Sequence, residues 1–196
     1  MTEDNNAKAH GVVTVRRYKP DDGPIVAKIW LDGLQQTIDE SWWIFQGLFR
    51  YLFDIESKKV LSNDGDIGPD GVNIQEFWMD KQNSEFLVAT INDKVVGCVG
   101  LKVGTTSLEK GNEKEDNTTS SIDKELVSVW RLSVDENFRR MGAASKLMEA
   151  CHDWAKAKGA KQMTLNTGNP VASKFYLKLG YEYETWYSIG TLIKNL

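Results

Sequence analysis

The chain has 196 residues, a length that favours a single well-packed domain spanning residues 1–196. Hydrophobic residues make up 41% of the chain and charged residues 27%, which excludes a wholly disordered protein and a membrane-embedded one. The formal net charge is -4, whereas nucleic-acid binding needs a basic surface, so we expect no nucleic-acid partner.

The N-terminus and the cysteines indicate the expected compartment. Residues 1–6 are polar and acidic, unlike a signal peptide, and we expect residues 1–10 to form a flexible tail. Cys98 and Cys151 fall in apolar stretches and lack metal-ligand spacing, so we expect both to be reduced and buried. These features predict a cytoplasmic protein without a bound metal.

The first half of the chain is predicted to begin with a strand over residues 12–17 and a helix over residues 23–38. A second helix is expected over about residues 39–57, because large aromatic side chains recur there at spacings of three and four. Its most apolar part, residues 42–53, is shorter than the roughly twenty residues of a spanning helix, so we expect no membrane span.

The next segment predicts a β-hairpin that follows a short helix over residues 74–82. Residues 85–91 and 94–103 alternate in polarity, and the intervening Asn92 and Asp93 tolerate the positive φ of a tight turn. The second strand is interrupted by glycine at two positions, which indicates either a bulge or the close approach of another group. These positions are Gly97 and Gly100.

A strand and a helix after the hairpin form the most informative part of the chain. Residues 105–124 are acidic and rich in Ser and Thr, which predicts a mobile loop. Residues 125–134 predict a buried strand, and a helix with apolar side chains on one face is expected to begin near Gly142. Small residues at a helix start expose amides that lack an intrahelical acceptor, a typical construction for phosphate binding.

The C-terminal part predicts one more helix between strands. Residues 162–167 form a predicted strand, and residues 170–179 a helix, because proline suits the first helical turn and Gly180 can end the helix. Residues 182–189 and 191–194 predict two final short strands.

Two ordered motifs in this half resemble a known family. Residues 139–144 read R-R-M-G-A-A and fit R-x-x-G-x-A, and residues 169–181 fit N-x-x-A-x-x-F-Y-x-x-x-G-[FY]. Over roughly residues 89–181 the chain resembles the GNAT superfamily of acetyl-CoA-dependent N-acetyltransferases. The resemblance implies an α/β (α+β) fold whose central mixed, mostly antiparallel sheet has one splayed strand pair and helices on both faces.

The resemblance also implies where coenzyme A binds. In this family the pyrophosphate lies on the helix start with a flanking arginine, the central strand bulges, and its end pairs with the pantetheine arm. A free amide of that strand would stabilise the oxyanion. The expected coenzyme-binding residues are Leu132, Ser133, Val134, Arg139, Arg140, Met141, Gly142, Ala143, Ala144, Ser145, Asn169, Ser173, Phe175, Tyr176 and Lys178.

Two residues are candidates for proton transfer. Tyr176 corresponds to the family tyrosine that donates a proton to the coenzyme thiolate, and the alternative is a core aromatic side chain. Glu125 is the candidate base, directly or through water, although it equally well only closes the acidic loop. Trp130 and Arg131 alternate on the predicted strand, so we expect one of the two to face the acceptor side.

The resemblance implies an N-acetyltransferase with acetyl-CoA as co-substrate, acting by direct transfer to a primary amine in a ternary complex. The acceptor would be a small-molecule amine, an amino-acid conjugate or a protein amine. The aromatic stripe within residues 42–53 either lines the acceptor pocket or packs in the core or a homodimer interface. Residues 105–124 either gate the site or are an insertion that the fold tolerates without a functional role. The alternative function is a non-catalytic acyl-CoA-binding regulatory module.

Overall fold

The computed structural model describes residues 11–41, 74–104, 125–184 and 190–196, with the side chains of residues 34–41 left aside. Within these ranges, seven strands form one open sheet in the order β1-β2-β3-β4-β5-β7-β6. The strands are β1 (Val13–Arg17), β2 (Ser84–Ile91), β3 (Lys94–Val103), β4 (Leu126–Val134), β5 (Gln162–Asn166), β6 (Glu182–Tyr183) and β7 (Thr191–Asn195).

Three helices and three short helical turns complete the described part of the chain. The helices are α1 (Gly23–Ser41), α2 (Ala143–Ala157) and α3 (Pro170–Lys178). The turns are the 3-10 turns Pro20–Asp22 and Glu136–Phe138 and the π-helical turn Gln75–Met79. The expectations for the tail over residues 1–10, the aromatic segment over residues 42–57 and the loop over residues 105–124 lie outside the described residues.

The strand pairing confirms the expected mixed, mostly antiparallel sheet. Among the seven described strands, only β4 and β5 pair in parallel, with α2 as the crossover between them, and the other neighbouring pairs are antiparallel. Asn92 and Asp93 have φ values of 49° and 63°, the left-handed conformation predicted for the hairpin turn. All eight residues of β2 are buried because the sheet is covered on both faces.

The two faces of the sheet carry separate apolar clusters. On the α2 face, Leu147, Met148, Cys151 and Ala155 recur at helical spacing and pack with α3 side chains against the sheet. On the α1 face, the core is formed by α1 and the π-helical turn, with Val26, Ile29, Trp78, Phe86 and Cys98 among its members. Cys98 and Cys151 are both 0% exposed and unpaired, which confirms the expectation of reduced, buried thiols.

Close approach explains the two glycines of β3. A Cβ atom at Gly97 would lie 2.9 Å from the carbonyl oxygen of Ser133, and one at Gly100 would lie 2.9 Å from a ring carbon of Trp78. The backbone of β3 therefore has β4 against it at one point and an indole ring at the other.

None of the helices in the described ranges combines the length and apolar character needed to cross a bilayer.

Candidate active site

A gap opens in the sheet where β4 and β5 stop pairing. The last paired residues are Val129 of β4 and Leu165 of β5, yet β4 continues to Val134 and remains paired with β3. The chain after β5 turns away into α3. We call the space beyond Val129 and Leu165 the β4–β5 gap; the edge of β4 that faces it comprises Leu132, Ser133 and Val134.

A bulge in β4 coincides with the start of this gap. Cys98 pairs with Ser133 and Gly100 with Trp130, so two steps along β3 oppose three along β4. Arg131, inside the bulge, has φ of 56°, which is uncommon for a residue with a long side chain.

The bulge corrects the expectation that Trp130 and Arg131 alternate, with only one of the two facing the acceptor side, because both side chains lie on the α1 face. Trp130 packs with the α1-face core, its ring 6.4 Å from that of Trp78. The guanidinium carbon of Arg131 lies 5.9 Å from the Trp30 ring centre and 5.8 Å from that of Trp78. Side chains do not alternate between the two faces here, because the extra residue of the bulge places two consecutive side chains on the same face. Leu132 then packs on the α2 face.

The start of α2 supplies main-chain donors at the end of β4. Gly142 precedes the helix with φ of 88°, and the first amide with an intrahelical acceptor is that of Lys146, which donates to the Gly142 carbonyl at 3.0 Å. The amides of Ala143, Ala144 and Ser145 come before it, so the helix geometry gives them no intrahelical partner. The positive end of the helix dipole adds to their attraction for an anion.

The space in front of these amides is open. A Cβ atom on Gly142 would find no heavy atom within 4 Å. Arg140 also adopts a positive φ, 62°, and such alternation of backbone conformations turns successive amides toward one concave surface. Bare amides, open space and two exposed arginines fit the pyrophosphate of coenzyme A.

Arg139 connects this loop to the strand. Its Nε donates a hydrogen bond to the carbonyl oxygen of Val134 at 3.2 Å, so the side chain lies against the end of β4. Met141, between the arginines and the glycine, is partly buried and packs against the α2-face core. The loop is therefore attached to the sheet on one side and exposed on the other.

On the other side of the gap, Asn169 begins α3. Its side-chain oxygen accepts hydrogen bonds from the amides of Val171 at 2.8 Å and Ala172 at 3.3 Å, which is the geometry of an N-cap. Ser173 is buried, and its hydroxyl donates to the Asn169 carbonyl at 3.2 Å. The oxygen of Asn169 is thus committed to the helix, which leaves its side-chain amide as the group suited to the pantetheine arm.

Tyr176 lies on the buried face of α3. The residue is 6% exposed, and its ring contacts Phe175 at 5.4 Å and Tyr181 at 5.8 Å between ring centres. Burial raises the pKa of the Tyr176 hydroxyl above its ordinary value, and the nearby Cys151 adds to this effect. The phenol therefore stays protonated at neutral pH. Lys178, at the end of the same helix, is exposed.

Glu125 lies at the paired end of β4, away from the gap. Its carboxylate forms an ion pair with Lys161 at 2.5 Å, and its side chain is 57% exposed. Four residue steps, or roughly 13 Å of extended strand, separate it from Val129, where the gap begins. Its role as base stays a prediction. In the structure the Glu125 carboxylate lies at the exposed surface, paired with Lys161.

The structure thus brings most of the predicted residues to one gap and adds others that the sequence did not indicate. Residues 132–134 and 139–145 border it from β4 and α2, while Asn169 and Tyr176 belong to the helix that follows β5. Trp30 and Trp78 were not predicted to take part. Neither carries a motif, and they approach Arg131 only through the tertiary fold.

A family model described as "Acetyltransferase (GNAT) family" matches residues 48–181. "Probable N-acetyltransferase camello" of Xenopus tropicalis is 29% identical over 115 residues, covering 58% of this chain and 45% of that protein. The Xenopus laevis protein of the same name is 24% identical, covering 87% and 86%. "N-acetylaspartate synthetase" of Xenopus tropicalis is 30% identical, covering 68% and 44%. The chain therefore spans less than half the length of two of these relatives.

Solved structures show the same fold at low sequence identity. The PaiA N-acetyltransferase of Thermoplasma acidophilum, crystallised with coenzyme A, has a TM-score of 0.65 and 15% identity, with 94% of this chain and 99% of that chain covered. Ard1 of Thermoplasma volcanium has a TM-score of 0.55 and 21% identity, with 94% and 97% covered.

Proposed function

The chain belongs to the acetyltransferase (GNAT) family and is an acyltransferase, and on that premise we propose that it transfers the acetyl group of acetyl-CoA to a primary amine within a ternary complex. The acceptor is a small-molecule amine, an amino-acid conjugate or a protein amine. The observation that carries the proposal is the row of bare amides at the start of α2, directly at the end of the β4–β5 gap.

The coenzyme is held along one continuous path. The amides of residues 143–145 and the exposed arginines bind the pyrophosphate, since they combine positive charge with amides that have no intrahelical acceptor. The edge of β4 at Leu132, Ser133 and Val134 has no strand of the described sheet beside it on the β5 side, so main-chain groups there can pair with the pantetheine arm. The Val134 carbonyl already accepts a hydrogen bond from Arg139. Phe175 and the side-chain amide of Asn169 border the arm from α3.

Acetyl-CoA supplies an activated acyl group that accepts an amine at its thioester carbon. A main-chain amide of the β4 edge stabilises the negative charge that develops on the thioester oxygen, a contribution of about 3 kcal/mol in acyl-transfer sites. The amine nitrogen attacks the thioester carbon, and the new C–N bond replaces the C–S bond. The proton of the amine passes to solvent water, and the departing thiolate gains a proton from a group that solvent then reprotonates. Tyr176 donates the proton to the thiolate, because its buried phenol remains protonated.

Direct transfer fits the state of the cysteines. An acyl-enzyme route needs an accessible thiolate, but both thiols of the chain are 0% exposed. Burial raises the pKa of Cys98 to about 12 and also raises the pKa of Cys151. Neither thiol is therefore available to carry the acetyl group at neutral pH.

The test is release of free coenzyme A thiol from acetyl-CoA, followed for the purified full chain with a panel of primary amines. We expect thiol release that depends on at least one amine, with an equal amount of acetylated amine identified by mass spectrometry. A reaction without amine measures background hydrolysis. Saturable coenzyme binding without turnover on any amine would instead support the non-catalytic acyl-CoA-binding module.

A further inference from the structure

Arg131 has a backbone conformation that the fold must maintain at a cost. Its φ of 56° places a residue with a long side chain in the left-handed region, which is unfavourable for residues other than glycine. Such conformations persist only where the surrounding packing fixes them, and they are frequent at functional sites. Here the bulge of β4 aims the guanidinium at the α1 face, two residues beyond the start of the β4–β5 gap.

Two tryptophans hold the guanidinium in place. Its carbon lies within 6 Å of the ring centres of Trp30, on α1, and Trp78, on the π-helical turn. Trp78 is itself fixed, since it is 2% exposed and its ring occupies the space that a side chain at Gly100 would fill. Aromatic rings at this distance stabilise the charge of an arginine, and the N–H edge of a guanidinium has the fork geometry that matches a carboxylate.

Under the proposed function, the α1 face is the side that remains for the acceptor. The coenzyme loop belongs to α2, which packs on the opposite face of the sheet, so the coenzyme enters from that face. An amine that attacks a thioester within the gap must come from the side that the coenzyme leaves open. The first charged side chain on this side of β4, counted from Val129, is Arg131.

We propose that Arg131 binds a carboxylate of the acceptor, so that the preferred acceptors are amines with a carboxylate near the amino group, as in free amino acids. This rests on the proposed acetyl transfer and names its acceptor class. Arginine pairs with carboxylates through two parallel N–H···O bonds, which fixes the orientation of the amine as well as its affinity. The indole Nε1 of Trp78, whose ring lies beside the Arg131 guanidinium, is buried without a hydrogen-bond partner in the described ranges.

The experiment compares amino acids with the corresponding amino-acid amides as acceptors in the thiol-release assay. Each pair has the same side chain and nearly the same size, but the amide lacks the carboxylate. The wild-type chain is expected to have a kcat/KM about tenfold or more higher for the acids, mainly through KM. Arg131→Gln is expected to remove this preference, lowering kcat/KM about tenfold more for the acids than for the amides, and Arg131→Lys to restore part of it.

Lys81→Gln is the matched control. Lys81 also places its charge on an aromatic ring near the π-helical turn, 5.0 Å from the centre of Phe77, but it is exposed. It should leave the preference unchanged. If Arg131→Gln does not fold, as judged by its circular dichroism melting curve, the Lys variant carries the comparison.

The outcomes separate this proposal from the proposed function. Turnover without a preference for acids, or an equal loss for acids and amides in Arg131→Gln, overturns the role of Arg131 and leaves acetyl transfer in place. Absence of turnover with every amine overturns both.

Discussion

The two faces of the sheet present different kinds of chemical group to the β4–β5 gap. On the α2 face the groups are main-chain amides at a helix start, and a local backbone conformation at Gly142 directs them. On the α1 face the groups are the side chains of Arg131, Trp30 and Trp78, which come from three separate segments. Under the proposed function, a substitution at the start of α2 should change coenzyme binding alone. Acceptor binding should also respond to substitutions elsewhere in the fold that alter the packing of Trp30 or Trp78.

The largest effect is expected at Gly142, where a substitution tests whether the backbone geometry of the loop, and not the stability of α2, controls coenzyme binding. Gly142→Val should weaken acetyl-CoA binding about a hundredfold or more, because the side chain enters the open space before the amides and disfavours φ of 88°. Isothermal titration calorimetry measures the affinity.

Gly159→Val is the matched control for this change. Gly159, at the other end of α2, also has a positive φ, 79°, and no atom within 4 Å of a built Cβ. Both variants should lose similar stability, but only the first should lose the coenzyme. Equal affinities would show that the loop does not hold the pyrophosphate.

The second prediction tests the chemistry on the α2 face. Tyr176→Phe should reduce kcat by about tenfold or more while coenzyme affinity is kept, because only the donated proton is removed. Tyr181→Phe is the control, since that buried phenol is hydrogen-bonded to His152 at 3.2 Å and should affect stability instead. Since burial raises the pKa of Tyr176, its deprotonation should cause no loss of rate between pH 7 and about pH 10. Unchanged turnover in Tyr176→Phe would remove the proton-donor role.

The third prediction concerns the packing of Trp78 on the α1 face. Gly100→Ala places a Cβ atom 2.9 Å from the Trp78 ring, so the ring must shift, at a cost of about 1–3 kcal/mol in unfolding free energy. Because Trp78 supports Arg131, KM for the acceptor should also rise while acetyl-CoA affinity stays unchanged. Urea denaturation and steady-state kinetics measure the two effects.

The stability control is Gly168→Ala, where a built Cβ meets no atom within 4 Å. A fall in coenzyme affinity that accompanies the rise in acceptor KM in Gly100→Ala would show that the two faces are not independent.

The smallest expected effect concerns the link between β1 and α1. Burial raises the pKa of Asp22, but hydrogen bonds from Arg16 and from the Lys19 amide outweigh it, so the net pKa lies below 3.8. The folded state thus binds this proton more weakly than the unfolded state. The stabilisation is present above pH 3.8 and is lost as the pH falls through the lowered value.

Asp22→Asn should therefore lower the free energy of unfolding by about 1 kcal/mol at pH 7. The value is this small because Arg16 is partly exposed, so solvent screens its interaction with Asp22. The difference between variant and wild type should shrink at pH 3, and urea denaturation at both values measures it. A difference that stays constant would exclude the lowered pKa as its cause.

The bulge of β4 marks the limit of what the sequence predicts. The family resemblance implied a bulge in this strand, but alternation along a regular strand assigns Trp130 and Arg131 to opposite faces. The register with β3, in which Gly97 and Gly100 permit close contacts, places them on the same face. Likewise, Glu125 is near the gap in sequence but lies at the paired end of β4 beside Lys161.

The sequence by itself determined the family, the order of strands and helices in the described ranges, and the loop before α2. These follow from local patterns, since hydrophobic periodicity, a glycine before a helix and short motifs act within a few residues of one another. Only the tertiary structure decided which side chains meet at the α1 face, because Trp30, Trp78 and Arg131 are far apart in the chain and come together through strand register and packing. Contacts of that kind depend on the whole sheet, and no local pattern encodes them.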